Sequence, residues 1–584
     1  MYIETVPNRN SRPTLLLRQG WRQGTKVRKR TLANLTHWPD HKIDALRRLL
    51  QDEPLVSPHS VFTVEQSLPH GAVEAVLGTM RRLGLDTLIA AKPCQERNLI
   101  MAMVAEQLLH PSSKLGTTRL WHTTTLAHEL DVSDADADDL YDALDWLLAR
   151  QARIENKLAK RHLAPGAHVL YDVTSSYYEG ATCPLACFGY NRDQKRGKTS
   201  IVYGVMTAPD GRPIALEVYP GNTGDATTVP QQIHKLRTRF GLQQVVLVGD
   251  RGTLTQTQID TLKQHPGLGW ISALRFEAIR KLADQHDLPA SLFEPPYLAE
   301  ITSVAFPGER LMACFNALLA TDRQRKRAEL LEATAHDLDK IAKEVARRTK
   351  TPLSPADIGK KVGKVLYHYK MAKHFKVTLD ADGFHYERRV ESIQRESELD
   401  GIYVIRTSEP KERLSAADTV RGYKHLALVE QLFRTLKGMD IRVRPIRHRI
   451  AKRVRAHIFL CLLAYYVEWH MRRAMAPLLF DDEELPDSRS TRDAVAPARP
   501  SSSAQKKKTT RLTPDGLPIH SFNTLLAALG TRCQNRCRLT ADPSVPPFYL
   551  LTEPTALQQR AFALLGLLFP VNGNSNSMEM QLYQ

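Results

Sequence analysis

Two apolar runs that each end in an aspartate, AHVLYDVTS (residues 167–175) and QVVLVGDRG (residues 244–252), decide the fold that this sequence predicts. The first run predicts a buried strand that ends in a carboxylate and two hydroxyls. The second is uniformly apolar before its end, so it should be buried on both faces of a sheet. Functional groups gather at strand ends in open α/β sheets. If the two strands are parallel neighbours, Asp172 and Asp250 should therefore lie side by side.

The segments around these runs predict the rest of the sheet. TSIVYGVMT (199–207) and RPIALEVY (212–219) read as two strands joined by a turn at Pro-Asp-Gly. A helix should follow each of the third and fourth strands, and GWISAL (269–274) reads as the fifth strand. The predicted order is three antiparallel strands followed by a helix, a strand, a second helix and a last strand. This is the order of an RNase H-like α/β core, which is a mixed sheet with flanking helices.

A third acidic residue lies on a predicted helix, YKHLALVEQLFRTLK (423–437). At about 100° per residue, its leucines, valine and phenylalanine share one side. Tyr423, Glu430, Arg434 and Lys437 share the other side. This polar side suits a polyanionic substrate, because the glutamate can hold a metal ion and the cations can hold phosphates beside it. An ordinary amphipathic surface helix with a Glu–Arg pair is the alternative.

Asp172, Asp250 and Glu430 together form a candidate metal site. Carboxylates placed close together repel each other and are stable mainly when they share a cation. Oxygen ligands with open positions for water and substrate suit Mg²⁺, with Mn²⁺ as a substitute. Each aspartate alone has a plain structural alternative, Asp172 as a cap at a strand end and Asp250 as a turn residue.

The charge of the chain indicates a nucleic-acid partner. The formal net charge is +18 and the sequence pI is about 9.5, and so basic a balance favours a polyanion. Residues 431–455 contain nine Lys and Arg against one Asp, so Arg444 and Arg447 are candidate DNA contacts. The alternative is a solvated charged face.

Several classes of protein are disfavoured. The most apolar run, residues 457–467, is too short to span a bilayer, so no membrane partner is expected. The N-terminus MYIETVPNRNSRP has no apolar signal core, so we expect a cytoplasmic protein. Seven scattered cysteines favour free thiols over a structural zinc site.

Composition and periodicity divide the chain into seven predicted segments. They are a basic hairpin (1–50), a helical region (51–164) whose interpretation as DNA-end-binding depends on the resemblance given below, the first part of the core (165–275), an α+β insertion (276–415), the second part of the core with the glutamate helix (416–475), a disordered basic linker (476–515) and a C-terminal segment (516–584).

The motifs YDVTS at Asp172, VGDRG at Asp250, and Y-x6-E-x6-K at Tyr423, Glu430 and Lys437 resemble those of DDE transposases of bacterial insertion sequences. The resemblance is to the subgroup with a Tyr-Arg-Glu-Lys signature. It covers about residues 165–470 and, more loosely, the basic hairpin. It implies an RNase H-like catalytic core with an insertion before the glutamate, and an enzyme of DNA transposition and recombination that cuts element ends and joins them to target DNA.

The resemblance also implies roles for the candidate residues. Asp172, Asp250 and Glu430 would hold two Mg²⁺ ions about 4 Å apart for phosphoryl transfer. Tyr423, Arg434 and Lys437 would hold phosphates of the cleaved strand. The partners would be double-stranded DNA, both element ends and target, and a second copy of the chain, because two ends must be brought together. The enzyme would act on the bacterial nucleoid.

Two features depart from the family pattern. Leu426 occupies the arginine position of the signature, and Arg434 would have to replace that arginine. The insertion has no tryptophan to stack on a flipped base, which leaves Phe384 or Tyr386 for that task. The alternative functions are an RNase H-like nuclease that cannot join DNA and a non-catalytic DNA-binding derivative.

Overall fold

The computed structural model describes residues 1–9, 12–52, 61–348, 350–380, 383–540 and 544–568. Their contacts divide the chain into two compact units. The first unit contains residues 1–69 and 532–553, and the second contains residues 70–531 and 554–569.

The described strands are β1 (Tyr2–Val6), β2 (Thr14–Gln23), β3 (Lys26–Asn34), β4 (Phe62–Pro69), β5 (His168–Tyr177), β6 (Ser200–Thr207), β7 (Pro213–Pro220), β8 (Val245–Val248), β9 (Leu268–Ala273), β10 (Leu298–Ile301), β11 (Arg310–Phe315), β12 (Phe375–Asp380), β13 (Gly383–Arg388), β14 (Ile402–Thr407), β15 (Cys533–Leu539) and β16 (Phe548–Leu551).

The described α-helices are α1 (Asp40–Leu50), α2 (Gly71–Arg82), α3 (Leu85–Ile89), α4 (Gln95–Leu109), α5 (Lys114–Leu120), α6 (Leu126–Glu129), α7 (Ala137–His162), α8 (Val229–His234), α9 (Gln256–Lys263), α10 (Phe276–Asp284), α11 (Ala317–Arg347), α12 (Pro355–Tyr369), α13 (Val390–Ser397), α14 (Ala416–Lys424), α15 (Leu426–Lys437), α16 (Ala451–Met475), α17 (Leu485–Thr491), α18 (Ser502–Thr510), α19 (Phe522–Gly530) and α20 (Ala556–Leu565).

The first unit is built on two small sheets. Antiparallel β2 and β3 form the basic hairpin that the sequence predicts, and β1 adds a third strand to it. The second sheet has the order β16–β15–β4. The prediction of a helical segment from residue 51 onward is therefore wrong at β4. That strand finds its partner, β15, more than 400 residues later, and a local pattern cannot report such a pairing.

The second unit contains the predicted N-terminal helices and the sheet. α2, α4 and α7 lie where apolar periodicity predicts helices, and Asp136 starts α7 with a capping box. α16 is buried along most of its length among these helices. The apolar run at 457–467 is therefore part of a core. No helix in the described ranges is long and apolar enough to cross a membrane.

The large sheet has the strand order β10–β11–β14–β9–β8–β5–β6–β7. β5, β6 and β7 are successively antiparallel, β8 runs parallel to β5, and β9 runs parallel to β8. This is the predicted RNase H-like order, and the fold class is confirmed.

The predicted insertion is less separate from the core than expected. β14 pairs antiparallel with β9, and β11 and β10 continue the same sheet. These strands satisfy the backbone groups that β9 would otherwise leave open at an edge. The remaining part of the insertion, α11, α12 and the β12–β13 hairpin, forms its own apolar cluster. The Asp-Gly sequence at 382–383 predicts a turn in this hairpin, and Asp382 lies outside the described residues.

Residues 476–515 differ from the predicted disordered linker, because the structure has α17 and α18 there. Lys507 is buried, and its ammonium donates a hydrogen bond of 2.8 Å to the carbonyl of Ala476. Ala494, Val495 and Ala504 are buried as well. The many polar residues of this segment led to the prediction of disorder. In the structure the segment packs through a few small apolar side chains and the aliphatic stem of Lys507.

Candidate active site

The pairing of β5 with β8 puts two aspartates next to each other. In the parallel register Leu170 lies opposite Val248, and Asp172 and Asp250 each follow two residues later. The two carboxylates therefore leave neighbouring strands at the same level of the sheet, as the sequence predicts.

Asp172 lies in a site that disfavours its charged form. Burial, with a smaller contribution from the nearby Asp250, raises the pKa of this carboxyl to about 7. The N–H of Val173, which donates to Asp172 Oδ1 at 2.7 Å, and the Arg192 guanidinium act in the opposite direction. A divalent cation at this position would therefore replace a proton rather than bind to a free carboxylate.

Asp250 is held by the turn that follows β8. Its Oδ1 accepts hydrogen bonds from the N–H groups of Gly252 at 3.0 Å and Thr253 at 2.7 Å. Within the described ranges no hydrogen bond engages its second oxygen, Oδ2. One oxygen therefore fixes the orientation of the carboxylate, and the other is available to a ligand.

Glu430 lies on α15, one turn after its start. The predicted single helix is two helices, α14 and α15, separated only by His425, whose φ of −64° and ψ of −17° remain helical. The predicted division of sides is therefore kept, with Val429 and Phe433 buried and Glu430 exposed. The Glu430 carboxylate makes no hydrogen bond or ion pair with the described part of the chain.

The hydroxyl of Tyr423 lies within electrostatic range of all three acidic residues. Burial, together with the charges of Asp250, Glu430 and Asp172, raises the pKa of Tyr423 to about 12, although Arg251 acts in the opposite direction. Tyr423 therefore stays protonated at neutral pH and can donate a hydrogen bond.

The predicted metal triad is assembled only in part. Asp172 and Asp250 are neighbours, and Glu430 lies near the same tyrosine. Among the described residues, however, no three His, Cys, Asp or Glu side chains are grouped so that they could hold one metal ion. The oxygen donors of the aspartate pair suit a hard divalent cation. No residue in the described ranges forms a hydrogen bond or ion pair that would keep Glu430 away from that cation.

Lys437, at the end of α15, is ion-paired within the protein. Its ammonium contacts Asp193 Oδ1 at 3.2 Å and donates hydrogen bonds to Thr174 Oγ1 at 2.8 Å and to the carbonyl of Ser175 at 2.5 Å. Burial lowers the pKa of Lys437, and the Asp193 carboxylate counters that effect. The side chain of Asp193 is only 2% exposed, and it also pairs with Arg444 at 2.5 Å. This network joins the glutamate helix to the strand that carries Asp172.

The other predicted DNA contacts lie at the surface. Arg434 is exposed on the same side of α15 as Glu430. Arg447 is 69% exposed and pairs with Glu179 at 3.0 Å. Arg444 is about one-third exposed despite its contact with Asp193.

Sequence reasoning missed the loop between β5 and β6, residues 188–198. Ser175 Oγ donates to the carbonyl of Tyr190 and accepts from the N–H of Arg192, both at 3.1 Å, so the loop is attached to β5 just after Asp172. Arg192 pairs with Asp225, and Phe188 and Tyr190 are 74% and 81% exposed. The sequence does contain a pattern from which this loop could have been predicted. It is Asn-Arg-Asp followed by a basic run, between two strands of the core.

The stacking role predicted for Phe384 or Tyr386 is not supported. Phe384 is buried in the apolar cluster of the insertion. The Tyr386 hydroxyl donates to the carbonyl of Ala335 at 3.1 Å and to Asp339 at 2.5 Å. Both rings belong to the apolar cluster that the hairpin forms with α11 and α12, so neither is free to stack on a base.

A comparison with protein families matches residues 167–467 to the transposase DDE domain and residues 3–55 to the N-terminal domain of the IS1634 family of transposases. The first match alone covers more than half of the chain. The chain belongs to the DDE transposase family. It is a DNA transposase of an insertion sequence, as the motifs at Asp172, Asp250 and Glu430 indicated.

Other comparisons add little to this assignment. No curated protein matches the transposase. Among solved structures, it is similar to the cryo-EM structure of a piggyBac transposase synaptic complex with hairpin DNA. The two chains are 10% identical, 87% of this chain and 84% of that chain are covered, and the TM-score is 0.32. A TM-score this low carries no argument about the fold, which rests on the sheet topology and the family match.

Membership of the DDE transposase family implies DNA as the substrate and a divalent metal ion as the cofactor. The Tyr-Arg-Glu-Lys subgroup stays a prediction, since Leu426 stands at its arginine position.

Proposed function

We propose that this transposase cuts DNA at the ends of its insertion sequence and joins the freed ends to target DNA. In this proposal Asp172, Asp250 and Glu430 are ligands of Mg²⁺, for which Mn²⁺ can substitute. The observation that carries the proposal is the register of β5 and β8, which brings two aspartates from distant parts of the chain to one level of the sheet.

Each acidic residue contributes differently. When bound, the metal activates water or a 3′-hydroxyl for attack on a phosphodiester and stabilises the leaving oxygen. Asp172 releases its proton as the cation arrives. Asp250 is already oriented by the N–H groups of Gly252 and Thr253. Glu430 is exposed and unpaired within the described chain, so no contact has to break before it binds the metal.

The cationic and hydroxyl groups near the acids bind the DNA strand. Tyr423 donates a hydrogen bond to a phosphate oxygen, and Arg434 and Arg447 contact phosphates at the surface. Arg444 uses its exposed portion in the same way while it remains paired with Asp193. Lys437 adds positive potential below the cleaved phosphate and holds the strand that carries Asp172 in place.

The active assembly in this proposal is a homodimer on DNA in the bacterial nucleoid. Two element ends must be cut and joined in a coordinated manner, and one acidic site serves one end. Two copies of the chain therefore meet this requirement with the fewest subunits.

The test of the acidic site is the variant Asp250→Asn. Asparagine retains the oxygen that accepts from Gly252 and Thr253, so the turn should remain folded, but it loses the charge that a metal needs. We expect cleavage of an element-end duplex in Mg²⁺ to fall to the level of an EDTA control, with DNA affinity unchanged. Asp260→Asn, on the exposed side of α9, is the matched control and should cleave normally. Normal cleavage by Asp250→Asn would remove Asp250 from the site.

A joining assay separates the transposase from a nuclease of the same fold. The substrate is a pre-cleaved element end with a free 3′-hydroxyl, mixed with plasmid target and Mg²⁺. The transposase should produce joined DNA. Hydrolysis without any joined product over a full Mg²⁺ titration would contradict strand transfer.

A further inference from the structure

A second cationic feature lies between the helical region and the basic loop after α15. It is a cavity of about 660 Å³, here called the basic cavity. Six of its lining residues are cationic, and none is acidic. The six are Lys114, Arg442, Arg444, Arg447, Arg449 and Arg453.

Lys114 is the central residue of the basic cavity. It is the first residue of α5, and only 4% of it is exposed. Its ammonium makes no ion pair or hydrogen bond with the described residues. Burial lowers the pKa of Lys114 to about 8, so it is still mostly charged at neutral pH. Buried ammonium groups are normally paired, because removal of the charge from water is costly.

The neighbouring histidines do not provide the missing negative charge. His448 and His457 lie with their ring centroids 4.9 Å apart. Burial lowers the pKa of both, that of His448 to about 4, so both are neutral at physiological pH. They form a wall of the cavity and add no charge to it.

The arginines divide into paired and unpaired groups. Arg444 pairs with Asp193, Arg447 with Glu179 at 3.0 Å, and Arg453 with Asp145 at 3.6 Å. Arg442 and Arg449 are exposed and have no ion-pair partner in the described ranges. Arg442 also has a φ of +52°, a left-handed backbone conformation that costs energy for a residue with a side chain.

The basic cavity is connected to the acidic site through one side chain. Arg444 lines the cavity, pairs with Asp193 and donates from its Nε to the carbonyl of Lys437 at 3.1 Å. Lys437 lies seven residues, or about 10 Å of helix, after Glu430. A DNA strand at the acidic site therefore has phosphates within reach of the cavity.

We propose that the basic cavity binds a backbone phosphate of the DNA substrate, with Lys114 as its central contact and Arg442 and Arg449 at its rim. The inference rests on the proposed function for the identity of the ligand as DNA. A phosphate supplies the negative charge that the lining residues lack, and its oxygens can accept hydrogen bonds from an ammonium and from guanidinium groups.

The test measures DNA binding in EDTA, so no cleavage is involved. Anisotropy of a labelled duplex of generic sequence is recorded over a salt series for the wild type and for Lys114→Met. Loss of one phosphate contact should weaken binding and reduce the slope of log K against log salt by about 0.9. Lys343→Met, on the exposed side of α11, is the matched control and should retain the wild-type slope.

A second measurement separates a ligand site from a structural lysine. In phosphate-free buffer without DNA, Lys114→Met should melt at a higher temperature than the wild type, because it removes an uncompensated buried charge. A lower melting temperature would show a structural role and overturn the proposal. Arg449→Gln, at the exposed rim, should reduce the salt slope without any change in melting temperature.

The salt slopes and the cleavage assay together distinguish failure of this inference from failure of the proposed function. Equal salt slopes for the wild type and Lys114→Met overturn this inference even if cleavage occurs. Wild-type protein that binds DNA with the expected difference from Lys114→Met but never cleaves in Mg²⁺ overturns the proposed function and supports this inference. If inorganic phosphate raises the melting temperature of the wild type alone while the slopes are equal, the cavity holds free phosphate and the DNA assignment is wrong.

Discussion

Replacement of Asp172 by asparagine should stabilise the metal-free transposase, and the gain should depend on pH. The folded carboxyl has a pKa of about 7, mainly because of burial, against an ordinary value of 3.8. Between these values the folded state holds a proton that the unfolded state has released. Rising pH therefore favours unfolding by up to ~1.4 kcal/mol per pH unit. The destabilisation by the buried carboxylate reaches about 4 kcal/mol at pH 8 and falls to about 0.6 kcal/mol at pH 4.

The assay is urea denaturation in EDTA from pH 4 to pH 8. Asp172→Asn and the wild type should differ by less than about 1 kcal/mol in the free energy of unfolding at pH 4, and the variant should be more stable by up to about 4 kcal/mol at pH 8. Mg²⁺ at pH 8, where the buried Asp172 carboxylate is mostly ionised, should restore stability to the wild type by offsetting that charge, and it should leave the variant unchanged because asparagine carries no charge to offset.

Asp418→Asn is the control of opposite sign. The Ser415 hydroxyl, followed by the Arg421 guanidinium, lowers the pKa of Asp418. Its stabilising effect is present at high pH and lost in acid, so this variant should lose stability at pH 8. A constant difference between Asp172→Asn and the wild type from pH 5 to pH 8 would refute the argument that burial and Asp250 hold a proton on Asp172.

Two further variants test the elements around the acidic site. Lys437→Met leaves the buried Asp193 with Arg444 as its remaining ion-pair partner and should cost about 3 kcal/mol in urea denaturation. Exposed Lys452→Met serves as its control, and a loss for Lys437→Met no larger than that of the control would contradict the structural role of the pair. Glu430→Gln should abolish cleavage of element-end DNA without any change in melting temperature, because Glu430 is exposed and makes no hydrogen bond with the described chain. A lowered melting temperature would instead place Glu430 in a structural network.

Local sequence patterns were sufficient to predict most of the fold and to select the candidate acidic residues. A strand buried on both faces must be apolar throughout, so a carboxylate at its end stands out, as Asp172 and Asp250 do. The sequence order of strands and helices then left few topologies. Glu430 could be found because a helix separates its apolar and polar sides with a period of 3.6 residues. Each of these signals lies within about twenty residues.

Only the tertiary structure decided which charged residues are paired. Asp193 and Lys437 are 244 residues apart, and both belong to polar runs that read as solvated surface. Lys114 occupies an ordinary helix start, yet packing against a distant basic loop buries it without a counter-charge. β4 likewise pairs with β15, which lies far away in sequence. β14 pairs with β9, which belongs to another predicted segment. Periodicity records which side of an element faces inward, but the energy of a buried charge depends on the neighbours that folding brings to it.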